Sequence, residues 1–358
     1  SLVESFSSAE DQIPQIEAPT AQQLFFKENT LEGSVSSFER YFKCPYQYFL
    51  FTGMGLGNAE SYGLSNREIG NLMHKILEEG ITTRGKTYAK ALQGHEKTLV
   101  APYIEALKRL YPQDTAQIEL LRERTCVLLK LSLEFLAERE ANTVFKPTYM
   151  EKKFDEVIDV DRPIKLHLRG TIDRIDTIPG GFVVLDYKSS TKKLEEKAVD
   201  CGVQLQLVTY LWMGRRYLNL NSPYGAFYFS LGQKNVTCIA NNPDKTPEIL
   251  WKEGRKLNGW VFESPEALDA NASHTSGLSI KKDGFSVYGG EFDANAVEGF
   301  VKSLYGTLID ELSSGNLPKR NLASSCQYCD YRFFCQFKKS PLKMRKINRD
   351  TSVLRKPK

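Results

Sequence analysis

Apolar positions along this chain change their spacing near residue 143, and the change divides it into a helical part and a stranded part. Leu31 to Phe51 opens with Ser34 or Ser36 as a helix cap and continues densely aromatic. From Asn66 to Gly80, Ile69, Leu72, Met73, Ile76 and Leu77 recur at helical spacing, which predicts a helix closed by Gly80. Tyr103 to Glu140 repeats the pattern through Leu107, Leu110, Ile118, Leu121, Val127, Leu128, Leu131, Phe135 and Leu136, with a break at Pro112. Residues 34–142 therefore read as mostly helical.

Beyond them the period falls to two. Strands are predicted over Lys146–Asp159, Ile164–Ile178, Gly181–Ser189 and Tyr224–Leu231, and a helix over Val203–Leu218. Clusters of Pro, Gly, Asn and Ser make 240–290 an irregular insertion, and Ala294–Ser314 is a last amphipathic helix. The order predicts an α/β fold: one mixed central sheet flanked by helices, with a helical insertion before it. As domains, 1–33 reads as a linker from a preceding region, 34–337 as one domain and 338–358 as a basic tail. The domain subdivides into the helical part 34–142, a core at 143–239, the insertion 240–290, and a C-terminal helix with a cysteine cluster at 291–337.

Composition adds limits. The 358 residues are 41% hydrophobic and 26% charged, enough for a sizeable core. No uncharged apolar run reaches the ~18 residues of a membrane span, and Ser1 to Thr30 has no secretory-signal pattern. Lacking an initiator Met, the chain is expected to be the last part of something larger. Net charge is only +4, but the tail gathers Lys338, Lys339, Lys343, Arg345, Lys346, Arg349, Arg355, Lys356 and Lys358 against Asp350. That tail suits either a solvated end or a nucleic-acid arm. No phosphate-binding loop of the G-x-x-x-x-G-K-[ST] type occurs, so nucleotide hydrolysis is expected elsewhere.

The most informative stretch is Gly170 to Ser190, GTIDRIDTIPGGFVVLDYKSS. With Gly180-Gly181 as a two-residue turn, Ile172 lies opposite Ser189, Asp173 opposite Lys188 and Ile175 opposite Asp186. Asp173, Asp186 and Lys188 then project from one face, whereas a one-residue slip would part them. Neighbouring carboxylates must share a cation or a proton, and hard oxygen ligands favour Mg²⁺ or Mn²⁺. A lysine beside them can orient the attacking water or stabilise the transition state of phosphodiester cleavage. Glu151 on the preceding strand can supply a third carboxylate or hold Lys188, His74 is a lone metal-ligand candidate, and Gln206 and Tyr210 share one helical face.

Seven cysteines without a secretory signal point to reduced thiols and metal ligation. Cys326-x2-Cys329-x5-Cys335 supplies three thiolates, and Cys44, before Pro45 and among Tyr41, Phe42 and Tyr46, is the best fourth. Four thiolates suit zinc or a [4Fe–4S] cluster, and spacing does not separate them. A clip from position 44 to the end of the fold closes a long loop and is most simply structural. Cys126, Cys201 and Cys238 read as ordinary thiols, and Tyr46, Tyr48 and Phe49 as packing around the cluster in preference to base-stacking platforms.

DYKS after a hydrophobic strand, preceded by G-x-x-D-R-x-D, resembles the core of the PD-(D/E)xK nuclease superfamily. Its RecB-like branch adds G-x-x-x-H upstream and Q-x-x-x-Y downstream, matched here by Gly70/His74 and Gln206/Tyr210. The position that is ordinarily Pro is Ile172. The resemblance implies that His74, Asp173, Asp186 and the Tyr187 carbonyl hold the metal, that Lys188 acts on the attacking water, and that Gln206 and Tyr210 position DNA. The early cysteine with a late C-x2-C-x5-C is similar to the iron–sulphur staple of AddB/RexB-type subunits of bacterial helicase–nucleases, which favours [4Fe–4S] over zinc. That likeness runs from Ser34 to Phe337, through SVSSFERYFKCPYQYF, GNLMHKILE, QLVTY, GLSIKKDGF and CQYCDYRFFCQF.

It implies a bacterial cytoplasmic, Mg²⁺-dependent DNA exonuclease domain with no membrane association. In that family the domain degrades the 5′-ended strand of duplex unwound with an AddA-like partner subunit, in double-strand-break repair. Two other readings remain at this point: a stand-alone iron–sulphur single-strand exonuclease like the CRISPR-associated ones, which are shorter, and a catalytically silent DNA-binding or scaffold module.

Overall fold

The computed structural model describes residues 15–57, 66–84, 88–189, 192–231, 257–262, 280–281, 284–285, 293–318, 326 and 329–335. In chain order its main elements are α1 (Ala18–Phe25), β1 (Phe26–Lys27), β2 (Thr30–Ser34), α2 (Val35–Lys43) and α3 (Pro45–Tyr48). Next come α4 (Asn66–Arg84), α5 (Tyr88–Leu92), α6 (Glu96–Leu110) and α7 (Thr115–Asn142). The sheet region holds β3 (Lys146–Ile158), β4 (Lys165–Ile178), β5 (Gly181–Lys188), α8 (Glu196–Asp200), α9 (Gln206–Tyr217), β6 (Ser222–Ser230) and β7 (Asn258–Val261). Helices α10 (Ala294–Ser313) and α11 (Arg332–Cys335) follow.

Strand β4 is the seam. One of its edges is occupied by antiparallel β3, from Lys146↔Thr177 to Ile158↔Leu166. The other edge is shared: parallel β2 takes 165–169 and antiparallel β5 takes 174–178. Residues 170–173 lie between those two partners. Past the end of its ladder with β4, β5 continues in parallel with β6 as far as Lys188↔Ser230, and β7 pairs antiparallel on the far side of β6. The sheet is mixed, as expected.

Both faces of the sheet are covered, which is why β5 reads as an unbroken apolar run and not as an alternating one. Phe182 and Val184 join a core with Leu31, Phe38, Phe42, Leu211, Leu304 and Leu308, from β2, α2, α9 and α10. Val183, Leu185 and Tyr187 join the opposite core with Leu72, Ile76, Leu129, Leu133 and Phe229, under α4 and α7.

The structure moves the β4–β5 register by two residues. Ile178 pairs with Gly181, so the turn is Pro179-Gly180, with Gly180 at φ +80°. Proline then glycine at the two central positions is the requirement of a type II turn, which outranks the Gly-Gly reading. Ile175 accordingly faces Val184, not Asp186. A shift of two keeps every side chain on its face.

Other differences are local. Helix α4 runs through Gly80 to Arg84, because Gly80 is buried and packing outweighs a glycine's helix cost of about 1 kcal/mol. Residues 18–33, expected as linker, form α1, β1 and β2, with Ala21, Phe25, Phe26 and Leu31 buried. Within 240–290, β7 is a sheet strand, and Ile280–Lys281 pairs with Gly284–Phe285. The rest of that insertion, residues 1–14 and the tail 338–358 lie outside the described residues. Ser34 caps α2 in a reciprocal box with Ser37, and Pro112 opens a short 3₁₀ turn between α6 and α7, both as expected. Among the described residues no helix is long and apolar enough to cross a membrane.

Under the sheet, on the α7 side, lies a buried ionic cluster. Asp176 accepts from Arg174 Nε at 2.6 Å and Nη2 at 3.1 Å, and from Arg139 Nη1 at 3.0 Å. Glu140 stands 3.6 Å from Arg174. Removing one partner of such a pair leaves charge uncompensated, at about 3–5 kcal/mol. Asp176→Ala is therefore expected to lose roughly that much stability in urea unfolding, and a loss under about 1 kcal/mol would contradict the arrangement.

Candidate active site

The seam positions the chemistry. Met150↔Arg174 and Lys152↔Ile172 bracket Glu151 and Asp173 across β3 and β4, and Arg174↔Leu185 sets Asp186 level with Asp173 across β4 and β5. Asp186 in turn pairs with Tyr228 on β6. Three carboxylates thus stand in one row on three adjacent strands. At that row β5 parts from β4, and the freed Tyr187 N–H donates to Asp173 Oδ2 at 2.6 Å in place of a strand carbonyl. The backbone at Glu151 is in the left-handed region, φ +46°, a conformation costing about 1–3 kcal/mol in a non-glycine residue and typical of sites where geometry outranks comfort.

Helix α4 brings His74 over the row. Its Nδ1 lies 3.4 Å from Glu151 Oε1 and 3.7 Å from Asp173 Oδ2. The approach needs Gly70, one turn earlier: a Cβ there would sit 3.2 Å from the Ser189 Cβ at the end of β5. The His74 ring meets the Tyr187 ring edge-on at 5.4 Å, and Arg174 Nη1 reaches the Tyr187 hydroxyl at 3.5 Å. The buried ionic cluster thereby braces the floor under His74.

Ligand atoms of His74, Glu151 and Asp173 all lie within 4.8 Å of one another. Asp186 stands outside that group of three, ion-paired through Oδ2 with the Lys188 ammonium. Burial first, then the Asp186 charge, raises the Asp173 pKa, with His74 and Lys188 opposing. Burial works against the His74 cation, but Glu151, Asp173 and Asp186 outweigh it and its pKa is raised. An excess of acid kept by added protons, in oxygen and imidazole ligands, fits a divalent cation.

Helix α9 supplies the far wall. Tyr210 is buried against the Phe154 ring, and burial followed by the Asp186 and Asp173 charges raises its pKa well above the ordinary value. Gln206 begins the helix, where its Oε1 accepts from Lys192 Nζ at 3.5 Å. Three residues of this wall escaped the sequence reading. Glu39, from α2, accepts at one oxygen from Leu205 N at 2.7 Å and Gln206 N at 3.2 Å, capping α9 across 166 and 167 residues. Lys192 and Tyr228 complete the group, the ammonium 4.5 Å from the ring centre. Only their approach in space identifies them, and no local pattern announces it.

Cys44 stands at the C-terminal end of α2, with Cys326 and Cys335 near it. Cys44 ends that helix, its N–H bonded to Arg40 O at 3.0 Å, and Pro45 restarts the chain as α3. Burial pushes its thiol up to about 12, and the neighbouring Cys335 and Cys326 add to the rise. Cys329 N turns back to Cys326 O at 3.4 Å, and α11 carries Cys335. A thiol raised in this way gives up its proton readily only to a bound cation, so Cys44 fits a ligand to a metal or cluster. Tyr48 is packed edge-on against Tyr41 at 5.5 Å and Arg40 lies 3.5 Å over the Phe51 ring, so this part of the aromatic segment is packing. Cys126 and Cys201 are half-buried thiols, and Cys238 lies outside the described residues.

The raised His74 pKa sets a sign. Its cation stabilises the metal-free fold fully below pH 6.5, the ordinary value, and that contribution fades as pH rises through the folded value. The stability difference between the native chain and His74→Gln, measured in chelator, is expected to be largest at pH 6.5 and below and to shrink above it. A difference growing with pH would exclude the Glu151 and Asp173 contacts as its source.

Residues 32–336 match the PD-(D/E)XK nuclease superfamily. The chain is also similar to proteins named as the B-type component of an ATP-dependent helicase/deoxyribonuclease. It is 25% identical to that of Ruminiclostridium cellulolyticum over 86% of this chain and 30% of the relative, and 27% identical to that of Clostridium botulinum over 94% and 32%. It thus spans about a third of the length of these relatives. With more than four-fifths of its residues inside the match, the chain belongs to the PD-(D/E)XK nuclease superfamily.

Proposed function

We propose that this chain is a metal-dependent deoxyribonuclease module that hydrolyses one DNA strand within a helicase–nuclease assembly. The observation that carries the reading is the row Glu151, Asp173, Asp186 beside Lys188, placed where β5 leaves β4. A sheet that exists only as a scaffold gains nothing by gathering buried carboxylates, because unpaired buried charge is costly. That cost speaks against a silent binding module.

Asp173, Asp186, Glu151 and His74, with the Tyr187 carbonyl, would hold Mg²⁺ or Mn²⁺. Bound there, the cation supplies positive charge to the scissile phosphate and acidifies water. The chain's own residues do the rest. Lys188, anchored by Asp186, presents its ammonium beside the row, where it orients the attacking water and offsets charge growing on the phosphate. Gln206 and Tyr210 fix the wall along which the strand lies. Because burial and the Asp186 charge raise the Asp173 pKa, metal uptake competes with a proton there and affinity rises with pH.

The relatives' name supports a partner subunit of an ATP-dependent helicase; within this proposal that partner is AddA-like and delivers unwound single strand, and the 5′-ended strand is the substrate. Cys44, Cys326, Cys329 and Cys335 would bind a [4Fe–4S] cluster, tying α2 to the end of the fold. The divisions into helical part, core, insertion and cysteine-bearing end stand within this proposal, with the core extended to include β2.

On end-labelled single-stranded DNA with Mg²⁺, Asp186→Ala should bring cleavage to background while binding persists; retained cleavage would refute the site. Cys329→Ser, prepared without oxygen, should lose the brown colour of the cluster and melt at lower temperature. A colourless native chain carrying one zinc would overturn the iron assignment.

A further inference from the structure

Lys192 is a cation of this site without a carboxylate of its own. Among the described residues no acid lies at ion-pair distance from it, and its acidic neighbours are occupied: Glu39 caps α9, and Asp186 holds Lys188. Its ammonium donates to Gln206 Oε1 at 3.5 Å and stands 4.5 Å from the centre of the Tyr228 ring, while Lys188 stands 5.5 Å from that same ring. The side chain is half-buried, and burial, with Lys188 adding, lowers its pKa against the pull of Glu39 and Asp186. Beside it the Tyr228 hydroxyl is buried with no hydrogen-bond partner among the described residues. Tyr228 is level with Asp186, so this second polar station adjoins the carboxylate row on its α9 side.

A partly dehydrated ammonium next to an unpaired hydroxyl is short of one anion with several acceptor oxygens. Within the nuclease reading, on which the inference rests, we propose that Lys192 binds a backbone phosphate of the DNA strand adjacent to the one being cut. Gln206 aims the ammonium and Tyr228 forms its floor. A point charge on a phosphate carries no base information, so the contact sets the strand's register over the row without selecting sequence. Glu39 acts one step back, as a positioning residue: by capping α9 it holds Gln206, and through Gln206 it holds Lys192.

The test reads binding without cutting. The full chain, Lys192→Met and Lys192→Arg are titrated with a fluorescein-labelled oligothymidylate in Ca²⁺, with the DNA recovered intact, over a series of salt concentrations. Each phosphate neutralised on a single strand contributes about 0.7 to the slope of log affinity against log salt. Lys192→Met is expected to weaken binding several-fold and flatten the slope by about 0.7, and Lys192→Arg to keep it. A Met chain with the native slope overturns the proposal, whether or not affinity falls, since a lysine that only supports Gln206 does not change the count of phosphates. Should the Met chain melt far below the native one, Lys192→Gln, which keeps a donor toward Gln206, is read in its place by the same slope. A native chain that binds through Lys192 but never cuts in Mg²⁺ separates this contact from the nuclease reading.

Discussion

Mutual repulsion among Glu151, Asp173 and Asp186 is the constraint to which the rest of the fold answers. Three like charges abreast on neighbouring strands would push an ordinary sheet apart. Here the sheet has already parted: β5 leaves β4 at that row, and Asp173 accepts the amide hydrogen that the departure frees. The remaining charge is met by His74 from above and Lys188 from the side. Each of these depends on something further. His74 needs Gly70 to come close to Ser189, and Lys188 needs the parallel pairing of β5 with β6 to stay extended past the split.

Two supports reach the row from outside the sheet. On the α7 side, Arg139 and Arg174 share Asp176 in the dry interior with Glu140 beside Arg174, and Arg174 touches the hydroxyl of the tyrosine that floors His74. On the α9 side, Glu39 caps the helix bearing Gln206 and Tyr210. Glu39 and Cys44 share the short run of chain around α2, so the cysteine cluster and the nuclease wall are mechanically continuous through one helix.

The sequence was most legible where period and chemistry agreed. Most strand and helix limits fell within a few residues of those observed, although α6 begins at Glu96 ahead of the expected Tyr103 and the short α5 and α8 were not foreseen. The alternation of β4 and β5 put Asp173, Asp186 and Lys188 on one face even though the turn was misread. The misreading arose because Pro179-Gly180 and Gly180-Gly181 are both sound turns, and only tertiary pairing decides between them. The error was harmless because it was even: two residues preserve a face. What stayed hidden had no local signature. Strand β2 pairs with residues far along the chain, β7 lies in a stretch of turn-forming residues, and Glu39, Lys192 and Tyr228 meet through contacts that no spacing rule encodes.

The shared edge of β4 also bears on where such a module can be cut out. Because β2 covers 165–169, a shortened polypeptide starting at Val35 would bare a row of unpaired amides and carbonyls beside the carboxylate row. Open edges of that kind recruit foreign strands and invite clumping. A minimal nuclease must therefore retain Thr30 to Ser34, a segment that carries no catalytic group but acts as the selvedge of the sheet.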